Sequence, residues 1–354
     1  MPPGAGRKAR PAPTMLALVF FFGCLHLAAA QDPPAQIPPP IQSLLEARRY
    51  SEAEQALRSQ LQRTPQWERG HLLLAQIYNQ TGRYEPAERH ALSAIRIRES
   101  VDGFLLLGVA AMRLGKLNES LEWLEKAAKR RPDYAETYKV LGLDYALGGM
   151  LQESEKAFRR AVGLEPNNWE FHYFQGRALY ELQQFRESQS ALGRAIELQP
   201  SSVKARTALG QVLERLGDLP AAGRSYRKAE ELCGAGSAEC AWPLLQLGFL
   251  SLRETGDREA EPYFRQAVAA RPDWAKPHFY LGKTLVTLGR LDEAQAELET
   301  AVRLDDSKSE YHYQLAQVCR RLGDAQKADR HLQRYQTLAD LERSKRVPAE
   351  FSNQ

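Results

Sequence analysis

The sequence predicts an all-α fold: a solenoid built from a tandem array of short antiparallel helical hairpins. Three observations carry this. Small residues recur in three columns with a period near 34, a glycine turn follows the first column in seven of eight units, and a proline closes most units.

The first column is Ala75, Gly108, Gly142, Gly176, Gly210, Gly248, Gly282 and Ala316, with spacings of 33, 34, 34, 34, 38, 34 and 34 residues. Twelve residues beyond each lie Ala87, Ser120, Ser154, Ser188, Ala222, Ala260, Ala294 and Ala328. Seven further on lie Ala94, Ala127, Ala161, Ala195, Ala229, Ala267 and Ala301, with Tyr335 in the last unit. Small side chains facing one another let two helices pack at the near end of the usual spacing of about 8–10 Å. Between the first two columns stands a glycine that can close a helix in the left-handed conformation, at Gly82, Gly115, Gly149, Gly217, Gly256, Gly289 and Gly323. Pro65, Pro132, Pro166, Pro200 and Pro272 then end the second helix, and Asp133, Asn167, Ser201 or Asp273 is placed to cap the next one.

Taken in order, the chain opens with a segment that does not read as structure. Arg7-Lys8-Ala9-Arg10 precedes an apolar run from Met15 to Leu27 and the small residues Ala28-Ala29-Ala30. That is the pattern of a secretory signal peptide over 1–30, with cleavage expected after Ala30. An uncleaved signal anchor is the alternative, and a lipoprotein at Cys24 ranks behind it because Phe21 and Phe22 fit a lipobox poorly. The apolar run falls short of the ~20 residues of a comfortable membrane span. No later stretch approaches that length, so no membrane association is expected once the signal is removed. Residues 31–40, QDPPAQIPPP, read as an extended proline-rich linker, with the last proline or two starting the first helix.

The array follows over 41–343, as one partial unit up to Pro65 and eight full ones. Cys233 and Cys240 flank an insertion, CGAGSAEC, in the one interval lengthened to 38 residues. In an exported protein this pair is a candidate disulfide; the alternative is two free thiols. The insertion is also where the array is expected to bend or be bridged. The last helix is rich in charge, as a terminal unit needs to be. Residues 344–354 read as a tail.

The 34-residue period, the Leu-Gly pair at the first column, the later alanines and the terminal proline resemble the tetratricopeptide repeat. The resemblance covers about residues 41–340. It implies a right-handed superhelix with the first helix of each pair lining a concave face, and a binding scaffold in place of a catalyst. Two groove types of the family are missing. Lys139 is followed by Leu143 where a carboxylate clamp needs Asn, and there is no asparagine ladder.

Other function classes find little support. Three of the 48 basic residues lie in the first thirty, which hold no acid; the rest of the chain has 45 basic against 44 acidic residues. That balance argues against nucleic acid, whose phosphates need a surplus of Lys and Arg. Phosphate-loop, HExxH, GxSxG and GxGxxG motifs are missing from the sequence. No enzyme activity and no cofactor are expected. His71, His172, His278 and His312 share a column four residues before the first small one. Metal binding is the sharp reading; packing is favoured, because equivalent positions should stand ~10 Å apart while zinc ligands lie ~2.1 Å from one ion.

The expected functional surface is the concave face, at first-helix positions three before, one after and four after the small column. These include Tyr173, Arg177, Tyr180, Phe249, Phe279, Lys283, Tyr313 and Arg320. Aromatic and Arg side chains in such a groove suit a peptide or protein segment. The chain therefore reads as an exported adaptor. A structural spacer in an envelope assembly and an accessory subunit of an enzyme are the alternatives. The partner's identity and the oligomeric state are left open.

Overall fold

The computed structural model describes residues 37–346 apart from Ala235. The signal-peptide reading, the start of the linker and the tail beyond residue 346 lie outside the described residues. Among the described residues there are eighteen α-helices and no strand. They pair as α1 (Pro39–Glu46) with α2 (Tyr50–Arg63), α3 (Glu68–Gln80) with α4 (Tyr84–Ile97), and α5 (Val101–Arg113) with α6 (Leu117–Arg130). Then come α7 (Ala135–Leu147) with α8 (Leu151–Leu164), α9 (Trp169–Glu181) with α10 (Phe185–Leu198), and α11 (Val203–Leu216) with α12 (Leu219–Cys233). The last three pairs are α13 (Ala241–Glu254) with α14 (Asp257–Ala270), α15 (Ala275–Thr287) with α16 (Leu291–Leu304), and α17 (Ser309–Arg321) with α18 (Ala325–Arg346). Two compact units result, one through Ala191 and one from Leu192, with the division inside α10. Within each unit a second helix packs on its own first helix and on the next one, so the core is a row of interhelix seams.

The small columns work differently from the expectation that small faces small. A Cβ added at Gly142 would stand 2.6 Å from the Phe158 ring, at Gly210 2.3 Å from Tyr226, and at Gly248 2.4 Å from Phe264. Each glycine is a notch that receives a large side chain from the partner helix, sixteen residues on. The small residues of the second column meet backbone instead. Ser120, Ser154 and Ser188 donate their hydroxyls to the carbonyls of Gly108, Gly142 and Gly176 at 2.7, 2.7 and 2.6 Å. Close approach is achieved by a small residue against main chain and a bulky one in a notch beside it.

Every turn glycine named above has positive φ, from 74° at Gly149 to 108° at Gly256. Two units lack the glycine, and there Arg48 (φ 55°) and Gln183 (φ 62°) take the same left-handed conformation. The predicted caps are displaced by one residue. Asn168 and Ser202, not Asn167 and Ser201, accept from the backbone amides of Glu170 and Ala205 at 3.1 and 3.2 Å. Tyr134 and Trp274, not Asp133 and Asp273, hold the N-cap position, without a side-chain hydrogen bond. Pro39 and Pro40 open α1, where a missing backbone N–H costs nothing.

Cys233 and Cys240 are joined by a disulfide, with Cα atoms 5.5 Å apart. The insertion carries left-handed Gly234 and Gly236 and a short 3-10 turn over Ala238–Cys240. It does not mark the division between units. Cys240 and Ala241 are buried in the seam that continues through α14 and α15, so the insertion is built into the second unit.

Candidate functional site

The histidine column is a set of clasps. His71 Nε2 lies 3.1 Å from the Pro65 carbonyl, His172 2.9 Å from that of Pro166, His278 3.0 Å from Pro272 and His312 3.2 Å from Asp306. Tyr138 and Arg206, in the same column, donate to the carbonyls of Pro132 and Pro200. The column satisfies an orphan carbonyl where one unit hands over to the next, so a hydrogen-bond donor is wanted there, not a metal ligand. Because a carbonyl accepts, Nε2 of His71 carries the proton and its Nδ1 accepts from Nδ1 of His90, 3.0 Å away. Burial, with His71 adding to it, pushes His90 down to about 4. His312 and His331 repeat the pair at 3.1 Å.

The face expected to bind is open in some helices and closed in others. On α5 the groove positions Leu105, Val109 and Met112 are buried, Leu105 and Val109 in a seam with Leu124 of α6 and Val140 and Leu141 of α7, while Asn79 Nδ2 of α3 donates to the Leu106 carbonyl at 3.1 Å. That bond also puts Asn79, in an Asn-x-Thr tripeptide, out of reach of a glycan. On α7 and α9, charge is present but neutralised. Lys139 Nζ stands 2.6 Å from Glu136 and 3.2 Å from Glu170, and these carboxylates hold its pKa above the usual value despite burial. Arg177 is largely covered, with Glu181 3.9 Å away. Tyr173 is held between Trp169 and Phe174, with ring centroids 6.3 and 5.2 Å off. Tyr180 packs edge-on to Phe185 of α10.

In the second unit the expectations divide. Phe279 is a correction: at 1% exposure it is stacked on Tyr311 at 4.5 Å, and it belongs to the seam between α15 and α17. The position three before the small column is buried at Leu245 and Thr207 as well. Arg320 is exposed, but its guanidinium meets Asp329 of its own hairpin at 3.7 Å. Phe249 and Lys283 remain accessible, and Tyr313, at the position of Phe279 but in the last described hairpin, is exposed beside Tyr335 of α18, 5.2 Å away. Phe249 meets Tyr280 edge-on at 4.5 Å, Lys283 Nζ lies 5.7 Å from the Tyr280 ring and 3.7 Å from Glu310, and Tyr313 is 39% exposed.

Three neighbours of this patch escaped the sequence reading: Trp242, Lys276 and Tyr280. Trp242 stacks on Trp274 at 5.3 Å. Lys276 Nζ lies 5.5 Å from the Trp242 ring and 5.6 Å from that of Phe249. Trp242 and Lys276 stand seven residues, two helical turns, before Phe249 and Lys283. That spacing was a readable sign that all four share one face. Among the described residues no group of three or more His, Cys, Asp and Glu side chains is placed to hold a metal, and no helix is long and apolar enough to cross a membrane.

Tetratricopeptide-repeat profiles match residues 44–98, 101–134, 140–185, 175–237, 258–318 and 309–334. The chain carries tetratricopeptide repeats through these segments, a fold suited to protein–protein interaction scaffolds. It is similar to the crystal structure of yeast Tom70, with a TM-score of 0.61 at 18% identity over 79% of this chain and 59% of that one. It is similar also to the APC/C hetero-tetramer Cut9-Hcn1, with a TM-score of 0.54 at 18% identity over 84% and 58%. At such identities the likeness is one of fold. Among curated sequences, Protein O-mannosyl-transferase TMTC2 of Homo sapiens is 32% identical over 97 residues, 26% of this chain. Superkiller protein 3 of Saccharomyces cerevisiae is 28% identical over 79 residues, 22% of this chain. The matched stretches span 12% and 6% of those two proteins.

Proposed function

We propose that the chain is an exported, non-enzymatic adaptor that receives a segment of a protein partner on the first-helix face of its second unit. The observation that carries the reading is the contrast between helices. On α5 the face is sealed, whereas α13 and α15 keep Phe249 and Lys283 accessible around Tyr280. Accessible aromatics beside a cation are what peptide-binding surfaces use. The balanced charge after residue 30 favours a protein over a nucleic acid. Export is supported by the basic-then-apolar start of the sequence and by a disulfide, a bond that persists in oxidising compartments.

Site-specific photo-crosslinking tests the binding face. A photoreactive side chain at Lys283 or Phe249 should yield one discrete adduct with a cellular protein. The same group at exposed Lys129 on α6 should not. Equal adducts from all three positions would sink the proposal. Export is checked by the N-terminus of the mature protein, which should be Gln31.

A further inference from the structure

We infer that the binding face of the second unit selects an acidic segment, with Lys276 as the anchor for a carboxylate and the Trp242–Phe249 surface for an adjoining apolar side chain. The inference deepens the proposed adaptor role and rests on it. Two lysines of the first-helix faces are substantially buried, and their surroundings differ. Lys139 is flanked by two carboxylates and its charge is stabilised. Lys276 has no carboxylate within 4 Å among the described residues. Its ammonium lies against the faces of Trp242 and Phe249, and burial pulls its pKa below the usual value, with more distant Glu310 opposing. Glu310 is itself shared with Lys283 at 3.7 Å, so Lys276, Lys283 and Glu310 together leave one positive charge.

A half-buried ammonium without a counter-charge carries a standing desolvation cost, which ring faces offset in part. An incoming carboxylate removes that cost and gains a charge-assisted hydrogen bond in a partly apolar setting, where it is worth more than in water. The partner therefore has to bring the anion. The rings of Trp242 and Phe249 flank the ammonium, so an apolar side chain next to that carboxylate would cover them.

Fluorescence anisotropy with the full chain tests this, using two fluorescein-labelled eight-residue peptide pools. One alternates Asp or Glu with Phe or Leu; the other replaces the acids by Lys or Arg. The acidic pool should bind at least tenfold more tightly. Lys276→Met should weaken it roughly tenfold, the loss of about 1.4 kcal/mol. Lys276→Arg should stay within threefold, and Lys129→Met on α6 should change nothing. Thermal melts confirm that each variant is folded. If both pools bind alike, or Lys276→Met binds like the parent, the inference fails while the adaptor reading stands. If neither pool binds, the inference fails too. Photo-crosslinking at Lys283 then decides whether the adaptor reading falls with it.

Discussion

Gln183 occupies a turn position that seven units give to glycine, at φ 62°. A side chain there costs on the order of 1–2 kcal/mol, because Cβ crowds the following carbonyl. Gln183→Gly should raise stability by about 0.5–1 kcal/mol once the looser unfolded chain is counted, read as a higher urea midpoint. Asp144 presents the opposite case, an ionisable residue in a column otherwise held by Ile77, Ala110, Ala178, Val212, Leu250, Thr284 and Val318. It is fully buried, and its Oδ2 meets the hydroxyl of Ser120. The Ser120 hydroxyl also reaches the Gly108 carbonyl, as its counterparts Ser154 and Ser188 reach theirs. The same hydroxyl faces Asp144 Oδ2, and burial outweighs that contact and pushes the Asp144 pKa up to about 7. The unfolded chain releases the Asp144 proton near pH 4, so between pH 4 and 7 the native state binds more protons. Stability is full below that window and declines as pH rises through it, by up to roughly 4 kcal/mol. Asp144→Ala should remove the slope and stabilise the protein at pH 8 by about 1–3 kcal/mol. At pH 4 it should be neutral or slightly harmful. Urea titrations at both pH values check this, and an unchanged slope would show that Asp144 is not the titrating group.

At the scale of elements, the hairpins owe their close packing to notches, and the insertion owes its order to a covalent tie. Phe264, Tyr226 and Phe158 each sit over a glycine of the partner helix. The sequence exposed the glycines but not what they receive, since the partner lies sixteen residues on and across a turn. The Cys233–Cys240 bridge closes a short loop, so its stabilisation is modest, about 2.5 kcal/mol at most. It also fixes the start of α13, where Trp242 lies two residues past Cys240. Reduction should lower the melting temperature of the full chain by a few degrees and change Trp fluorescence through the Trp242–Trp274 stack. Unchanged emission on reduction would separate the bridge from the binding face.

At the scale of the whole molecule, each seam within a compact unit is completed by the next hairpin of that unit. Truncation after Ser307 removes α17 and α18, and with them Tyr311, Leu315 and Cys319 from the last seam. Phe279 and Leu285 would then face water. The shortened chain should lose solubility and melt earlier, measured by light scattering and calorimetry; a monomeric fragment as stable as the parent would contradict this. The sequence by itself determined the helical hairpins, their turns and their small columns, because helix period and backbone sterics act over a few residues. Tertiary structure decided which first-helix faces stay open and which charges stay unpaired. Leu105 is buried and Phe249 is accessible, though both stand in columns expected to bind. Lys139 is neutralised by Glu170, 31 residues away, and Lys276 meets ring faces instead. Exposure and pairing depend on neighbours brought in by packing, and no local spacing along one helix records them.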